Sequence, residues 1–115
     1  MAIIKTSELT GNALDWAVAT AEVLFFARLE IENKLRTYSP STDWSQGGPI
    51  IEREKIGLIF QYYDFTKDEP WLSSLHGVTR SMNVYRSGVT PLIAAMRCYV
   101  ASKLGDSVNI PDEIV

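Results

Sequence analysis

The residues of this chain best equipped for chemistry are concentrated between Tyr38 and Glu54, in the run Tyr-Ser-Pro-Ser-Thr-Asp-Trp-Ser-Gln-Gly-Gly-Pro-Ile-Ile-Glu-Arg-Glu. Ligand sites combine an apolar or aromatic floor with a few convergent polar groups. Tyr38, Ser41, Thr42, Asp43, Trp44 and Gln46 supply that inventory within one segment. Gly47 and Gly48 can turn two adjacent backbone N–H groups toward an anion, although Gly-Gly-Pro is equally the composition of a plain tight turn. Arg53 is the nearest cation, with Arg80, Arg86 and Arg97 elsewhere in the chain. Any of them suits a phosphate or carboxylate. The competing reading is structural: Trp44 staples the loop to the core, and the hydroxyls make local turns.

Catalytic arrangements are poorly represented. Gly47-Gly48 is followed by Pro49, not by the Lys-Ser/Thr of a phosphate-binding loop or a helix-opening third glycine. No Gly-x-Ser-x-Gly elbow occurs. Cys98 sits among small helical residues and reads as a small hydrophobe. The one histidine, His76, precedes Gly77 in a loop and reads as a surface residue. Glu52 and Glu54 would share a face if their segment were extended. With Asp43 and Asp64 they could form an acid–base pair or a hard-metal site. A solvated charged end is the plainer reading.

These residues need a scaffold to position them. Ile3 to Leu9 starts extended. Thr10 is a good N-cap for an amphipathic helix over 11–23, whose stripe runs through Leu14, Ala17, Val18, Ala21, Leu24 and Phe25. Asp15, Ala19 and Glu22 fall on the opposite, wetter side. Residues 24–37 alternate apolar and charged, which favours a hairpin turning near Asn33-Lys34 over a helix. The segment 38–54 is too irregular in composition for a helix and is expected to be a loop. Lys55 to Phe65 reads as a strand. Trp71 to Leu75 is a short strand or a single helical turn, and Val78 to Arg86 alternates as a strand again. Thr90 followed by Pro91 is a strong helix start. The helix runs over 91–104 to Gly105, apolar on one face and small on the other, so it should pack on both sides. Val108 to Ile110 suits an edge strand stopped by Pro111.

Bulk properties narrow the function classes. At 115 residues, 46% of them hydrophobic, the chain is expected to form one domain spanning 1–115 with a real core. A net charge of −3 gives no whole-molecule attraction to nucleic acid. The N-terminus lacks the pattern of a secretion signal, and the most apolar stretch is too short for a bilayer, so a cytosolic location without membrane attachment is expected. One cysteine forms no internal disulfide and no paired-cysteine zinc site.

Four segments together carry a family resemblance: Lys5 to Gly11, Ala13 to Val18, Tyr38 to Glu54, and Thr90 to Gly105. On these the chain resembles the NinX-like proteins of bacteriophages and prophages. Stretches 24–36 and 58–87 carry little of it. The resemblance implies a phage-encoded accessory protein made in the host bacterial cytoplasm. It brings no catalytic residues to carry over. Its weight falls on the polar segment and the last helix, which makes their pairing the point to test.

The expected architecture is α+β, with an antiparallel sheet and two principal helices, 11–23 and 91–104. The expected function is a non-catalytic, homo-oligomeric binding module with no cofactor. Its segment 38–54 would meet the N-terminus of the last helix. Tyr38, Ser41, Thr42, Asp43, Trp44, Gln46, Gly47, Gly48, Arg53 and Thr90 would form the site, for an anionic or nucleotide-like small molecule or for a partner. Two alternatives stand beside it. One is an inhibitor or adaptor of a host or phage enzyme that uses the same loop with Tyr62, Tyr63 and Trp71. The other is a small metal-dependent hydrolase built on Glu52, Glu54 and Asp43.

Overall fold

The computed structural model describes residues 1–33, 38–61, 68–77 and 79–114. Its organising element is the helix whose start is most plainly written in the sequence. Thr90 is the N-cap, its hydroxyl accepting the Ile93 N–H at 3.1 Å, and Pro91 opens the first turn. This helix, α4, spans Pro91–Leu104, and Leu92 and every residue from Ala94 to Ala101 are buried. Burying Leu92, Met96, Tyr99 and Val100 contributes about 2 kcal/mol each. The small residues on the other face let backbone come close, as the two-sided pattern predicts.

Among the described residues, five strands and three further α-helices surround it. β1 (Ala2–Lys5) pairs antiparallel with β5 (Ser107–Ile110), Ala2 standing opposite Ile110. A second antiparallel sheet runs β2 (Gly57–Phe60), β3 (Trp71–Leu75), β4 (Val84–Gly88) in that order. α4 lies across this sheet. Ser73 of β3 donates its hydroxyl to the Ala94 carbonyl at 2.6 Å, so strand and helix are joined by a buried hydrogen bond. Arg97, one turn further along α4, anchors the helix to β4 and to the chain at Leu9. Its guanidinium donates to the Leu9 carbonyl at 2.7 Å, the Ser87 carbonyl at 2.9 Å and Glu69 Oε2 at 2.6 Å. The remaining helices are α1 (Gly11–Ala21), α2 (Phe25–Glu32) and α3 (Trp44–Glu54). The whole is α+β, as composition and order suggested, with four α-helices and two small sheets among the described residues.

Several expectations are corrected. The stretch 24–37 is not a hairpin: its described part forms α2, because Ala27 to Glu32 are good helix formers and Ile31 seats in the core at 3% exposed. The proposed turn at Asn33-Lys34 lies partly outside the described residues. α1 ends at Ala21, before the expected 23, where Val23 takes a left-handed φ of 59° and the chain bends into α2. Thr10 sits at the cap position, but its hydroxyl makes no capping bond. Asp15 and Ala19 are buried, not wet, at 4% and 0% exposed. A single helical wheel misplaces them because α1 is enclosed by α2, α4 and the 39–42 turn together.

The segment 38–54 is not a loop throughout, since its greater part is α3. The strand expected over 55–65 begins at Gly57, and its distal end, with Tyr62 and Tyr63, lies outside the described residues. Trp71–Leu75 is the strand alternative. The run 78–86 becomes a 3-10 turn (Arg80–Met82) followed by β4, held by the Gly77 N–H donating to Asn83 Oδ1 at 3.0 Å; Val78 lies outside the described residues.

Candidate functional site

The site is built from a turn, a helix start and a second helix start. Residues 39–43 close on themselves, the Thr42 and Asp43 N–H groups both donating to the Ser39 carbonyl at 3.1 and 2.9 Å. Asp43 then caps α3, accepting the Ser45 N–H at 2.9 Å and the Ser45 hydroxyl at 2.7 Å. Those hydrogen bonds, the Ser45 hydroxyl first, hold the Asp43 carboxyl below its usual range. Gln46 closes the turn from the helix side. Its Oε1 accepts the Ser39 N–H at 2.8 Å, and its Nε2 donates to Asp43 Oδ2 at 3.2 Å. A strong cap therefore starts a helix in a sequence whose Gly-Gly-Pro argues against one.

Pro49 lies within α3. An interior proline forfeits one backbone hydrogen bond and costs about 3 kcal/mol. Burial of Ile50, 4% exposed, and of part of Ile51 offsets it.

Gly47 sets how close α3 comes to α4. A Cβ at this position would stand 2.4 Å from the Pro40 carbonyl oxygen and 2.6 Å from Leu92 Cδ2. Only glycine lets the first turn of α3 rest on the first turn of α4. Gly48 has no such constraint, its nearest neighbour being the Trp44 ring at 3.9 Å.

The result is a cleft of about 210 Å³ lined by Ser41, Thr42, Trp44, Thr90, Pro91, Leu92 and Ile93. Trp44 is 54% exposed, and Val89, beside Thr90 in sequence, is 58% exposed. Of the ten residues singled out from sequence, Ser41, Thr42, Trp44 and Thr90 come together here, and Gly47 permits the approach. Asp43 and Gln46 are engaged in building the cap. Pro91, Leu92 and Ile93, the helix start that segment 38–54 was expected to meet, complete the lining, though only Thr90 of that start was named as a site residue.

Tyr38 and Arg53 are not in this cleft. Arg53 lies at the far end of α3, about 13 Å along the axis from Trp44. There it donates to Glu22 Oε1 at 2.7 Å, Glu54 Oε2 at 2.8 Å and the Tyr99 hydroxyl at 3.3 Å. Tyr38 is half-buried, and its phenol is pushed up by burial first and then by Glu22. The Tyr99 phenol is pushed up to about 12, again by burial first. The other arginines do not converge either. Arg97 is the anchor described above, and Arg86 donates to Asp106 Oδ1 at 2.9 Å and Thr6 Oγ1 at 3.3 Å.

The carboxylates proposed for catalysis are dispersed. On a helix Glu52 and Glu54 do not share a face, which corrects the extended-strand argument. Glu54 is held low, by the Arg53 hydrogen bond first, with Lys103 3.6 Å away. Asp43 is at the other end of the helix. Among the described residues no group of three or more His, Cys, Asp or Glu is placed to hold a metal. Cys98 is buried, and burial pushes its thiol up. Its Sγ donates to the Val84 carbonyl at 3.4 Å. His76 is exposed and meets the Tyr85 ring edge-on. Among the described residues no helix is long and apolar enough to cross a membrane.

Comparison with known proteins adds one match. The family model described as Bacteriophage P22, NinX, matches residues 5–103, nearly the whole chain. No curated protein matches.

Proposed function

The chain belongs to the bacteriophage P22 NinX family, and we propose that this phage accessory protein is a non-catalytic binding module acting inside the bacterial host. Its site is the cleft between the starts of α3 and α4, and its occupant is an apolar or aromatic side chain of a host or phage protein. The observation that carries this reading is Trp44, a large aromatic left 54% exposed at the rim of an uncharged, largely apolar cleft. Exposed Trp side chains beside a pocket are characteristic anchors of protein interfaces.

Size and charge favour a protein over a nucleotide. At about 210 Å³ the cleft is smaller than the roughly 300–1,000 Å³ of ordinary small-molecule pockets. It holds no cation, since Arg53 is committed to Glu22, Glu54 and Tyr99. The N-termini of α3 and α4 present weak positive ends. However, the ionised Asp43 at the cap of α3 opposes an incoming anion. The hydrolase alternative finds no support in the dispersed carboxylates.

A photo-reactive amino acid placed at position 44 during phage infection tests the reading. One defined protein adduct is expected, absent when the probe stands at the equally exposed position 59 on β2. Adducts of the same proteins from both positions, or saturable heat from nucleotides in calorimetry, would sink it.

A further inference from the structure

On the other side of the 39–42 turn lies a separate cavity of about 380 Å³, lined by Gly11, Asn12, Asp15, Tyr38, Ser39 and Thr42. Gly11, Asn12 and Asp15 share one face of α1 by their i, i+4 and i, i+3 spacing. Asp15 is 4% exposed. Its Oδ1 accepts the Ser41 N–H at 2.9 Å. The Ser41 hydroxyl lies beside the carboxylate and favours its charged form, but falls outside hydrogen-bond geometry. No Lys or Arg pairs with it among the described residues. A buried carboxylate ordinarily has a cationic partner or several donors. Among the described residues this one has a single backbone donor, and it faces a cavity.

We propose that this cavity binds the primary ammonium group of a small organic molecule, with Asp15 as its counter-ion. The surroundings agree in sign. Tyr38, at the cavity wall, has Glu22 and Asp15 as negative neighbours, and among the described residues the one opposing charge acting on it, Arg53, is already paired with Glu22 and Glu54. The first turn of α1 adds a second feature. Thr10 leaves its N–H groups without a side-chain cap, and Gly11 and Asn12 line the cavity. An ammonium that carries a neighbouring carboxylate would meet donors there. Burial adds strength, because a charge pair in a partly desolvated cavity is screened less than one at the surface. The site adjoins the Trp44 cleft, sharing Thr42 with it, but its binding group is Asp15 and not Trp44, so the failure of one is distinguishable from the failure of the other.

The test is titration of the whole protein with 1,4-diaminobutane and with L-ornithine, each against its fully N-acetylated form. Binding is followed by amide shifts in two-dimensional NMR. Saturable shifts confined to Gly11, Asn12, Asp15, Ser39 and Thr42, seen with an amine and not with its acetylated form, are expected. A response to both amines assigns a lone ammonium; a response to ornithine alone assigns the zwitterion. Asp15→Asn should weaken binding at least tenfold. The shift map on the unaltered chain stands as evidence should that variant not fold. No saturable shift with either amine, shifts located elsewhere, or equal response to the acetylated forms would overturn the proposal.

Discussion

Leu92 Cδ2 occupies the space that a side chain on residue 47 would need, 2.6 Å from the ideal Cβ position at Gly47. Together with the Pro40 carbonyl at 2.4 Å, this contact fixes α3 on α4 and so shapes the Trp44 cleft. Gly47→Ala should therefore destabilise the fold by about 1–3 kcal/mol through overpacking. Gly48→Ala, one residue on and in open contact only, should be neutral or stabilising by about 0.5–1 kcal/mol from helix propensity. Urea unfolding of the pair checks this, the midpoint falling for Gly47→Ala and holding or rising for Gly48→Ala at constant slope.

Val23 holds a left-handed φ of 59° and is 81% exposed. A β-branched residue in that region carries roughly 1–2 kcal/mol of strain, and exposure means little packing is lost on replacement. Val23→Asn should stabilise the protein by about 0.5–1 kcal/mol, since Asn tolerates this conformation. A fall in the melting temperature would show that Val23 has a packing role.

Arg97 supplies a donor to the Leu9 carbonyl and the Ser87 carbonyl from a side chain only 7% exposed. Arg97→Met would leave both acceptors without it, at about 1–3 kcal/mol for the buried Leu9 carbonyl and less for the part-buried Ser87 carbonyl. Arg97→Lys should recover only part of the loss, because one ammonium cannot reproduce the guanidinium fork. Denaturant titration of both variants measures the difference. Full recovery by Lys would contradict the account.

Asp15 gives a pH signature of known sign. Burial raises its folded-state carboxyl above the ordinary value. A raised acid stabilises the fold fully below the unfolded value of about 3.9. That contribution is lost as pH rises through the folded value. Asp15→Asn removes the titration while keeping an acceptor for the Ser41 N–H. In the absence of ligand, the variant's stability relative to the unaltered chain should rise as pH increases above about 4, until the folded-state Asp15 carboxyl has ionised. Glu54, Glu69 and Asp43, all held low, act in the opposite direction in both proteins and cancel in the difference. A relative loss for the variant as pH rises would contradict the assignment.

How much could be read from sequence depended on how local each cause was. α4 was legible from end to end because Thr90, Pro91 and Gly105 specify its start and stop within a few residues. α3 was not, because Gly47, Gly48 and Pro49 all oppose a helix locally, and the Asp43 cap and the seating of Ile50 override them only after folding. α2 was ambiguous because alternating Arg and Glu satisfy a strand's period and a helix's i, i+4 spacing alike. The nearness of Trp44 to Thr90 and Pro91 could be inferred from which stretches looked unusual. The diversion of Arg53 to Glu22 and Tyr99 could not, since it depends on contacts 31 and 46 residues away in sequence. The cavity at Asp15 was hidden for the same reason: nothing near Asp15 announces that Ser41 will cover it.

The most direct measurement on the Trp44 cleft is quantitative affinity capture from phage-infected cells, using the unaltered chain, Trp44→Ala and Ile59→Ala in parallel. Both substitutions are at exposed positions, and thermal melting of each variant first confirms that it is folded at the temperature of capture. Loss of the captured proteins will then report on binding and not on folding. The prediction is a defined partner retained equally by the unaltered chain and Ile59→Ala and reduced at least tenfold by Trp44→Ala. Equal capture by all three proteins would contradict the cleft's assignment as the binding site.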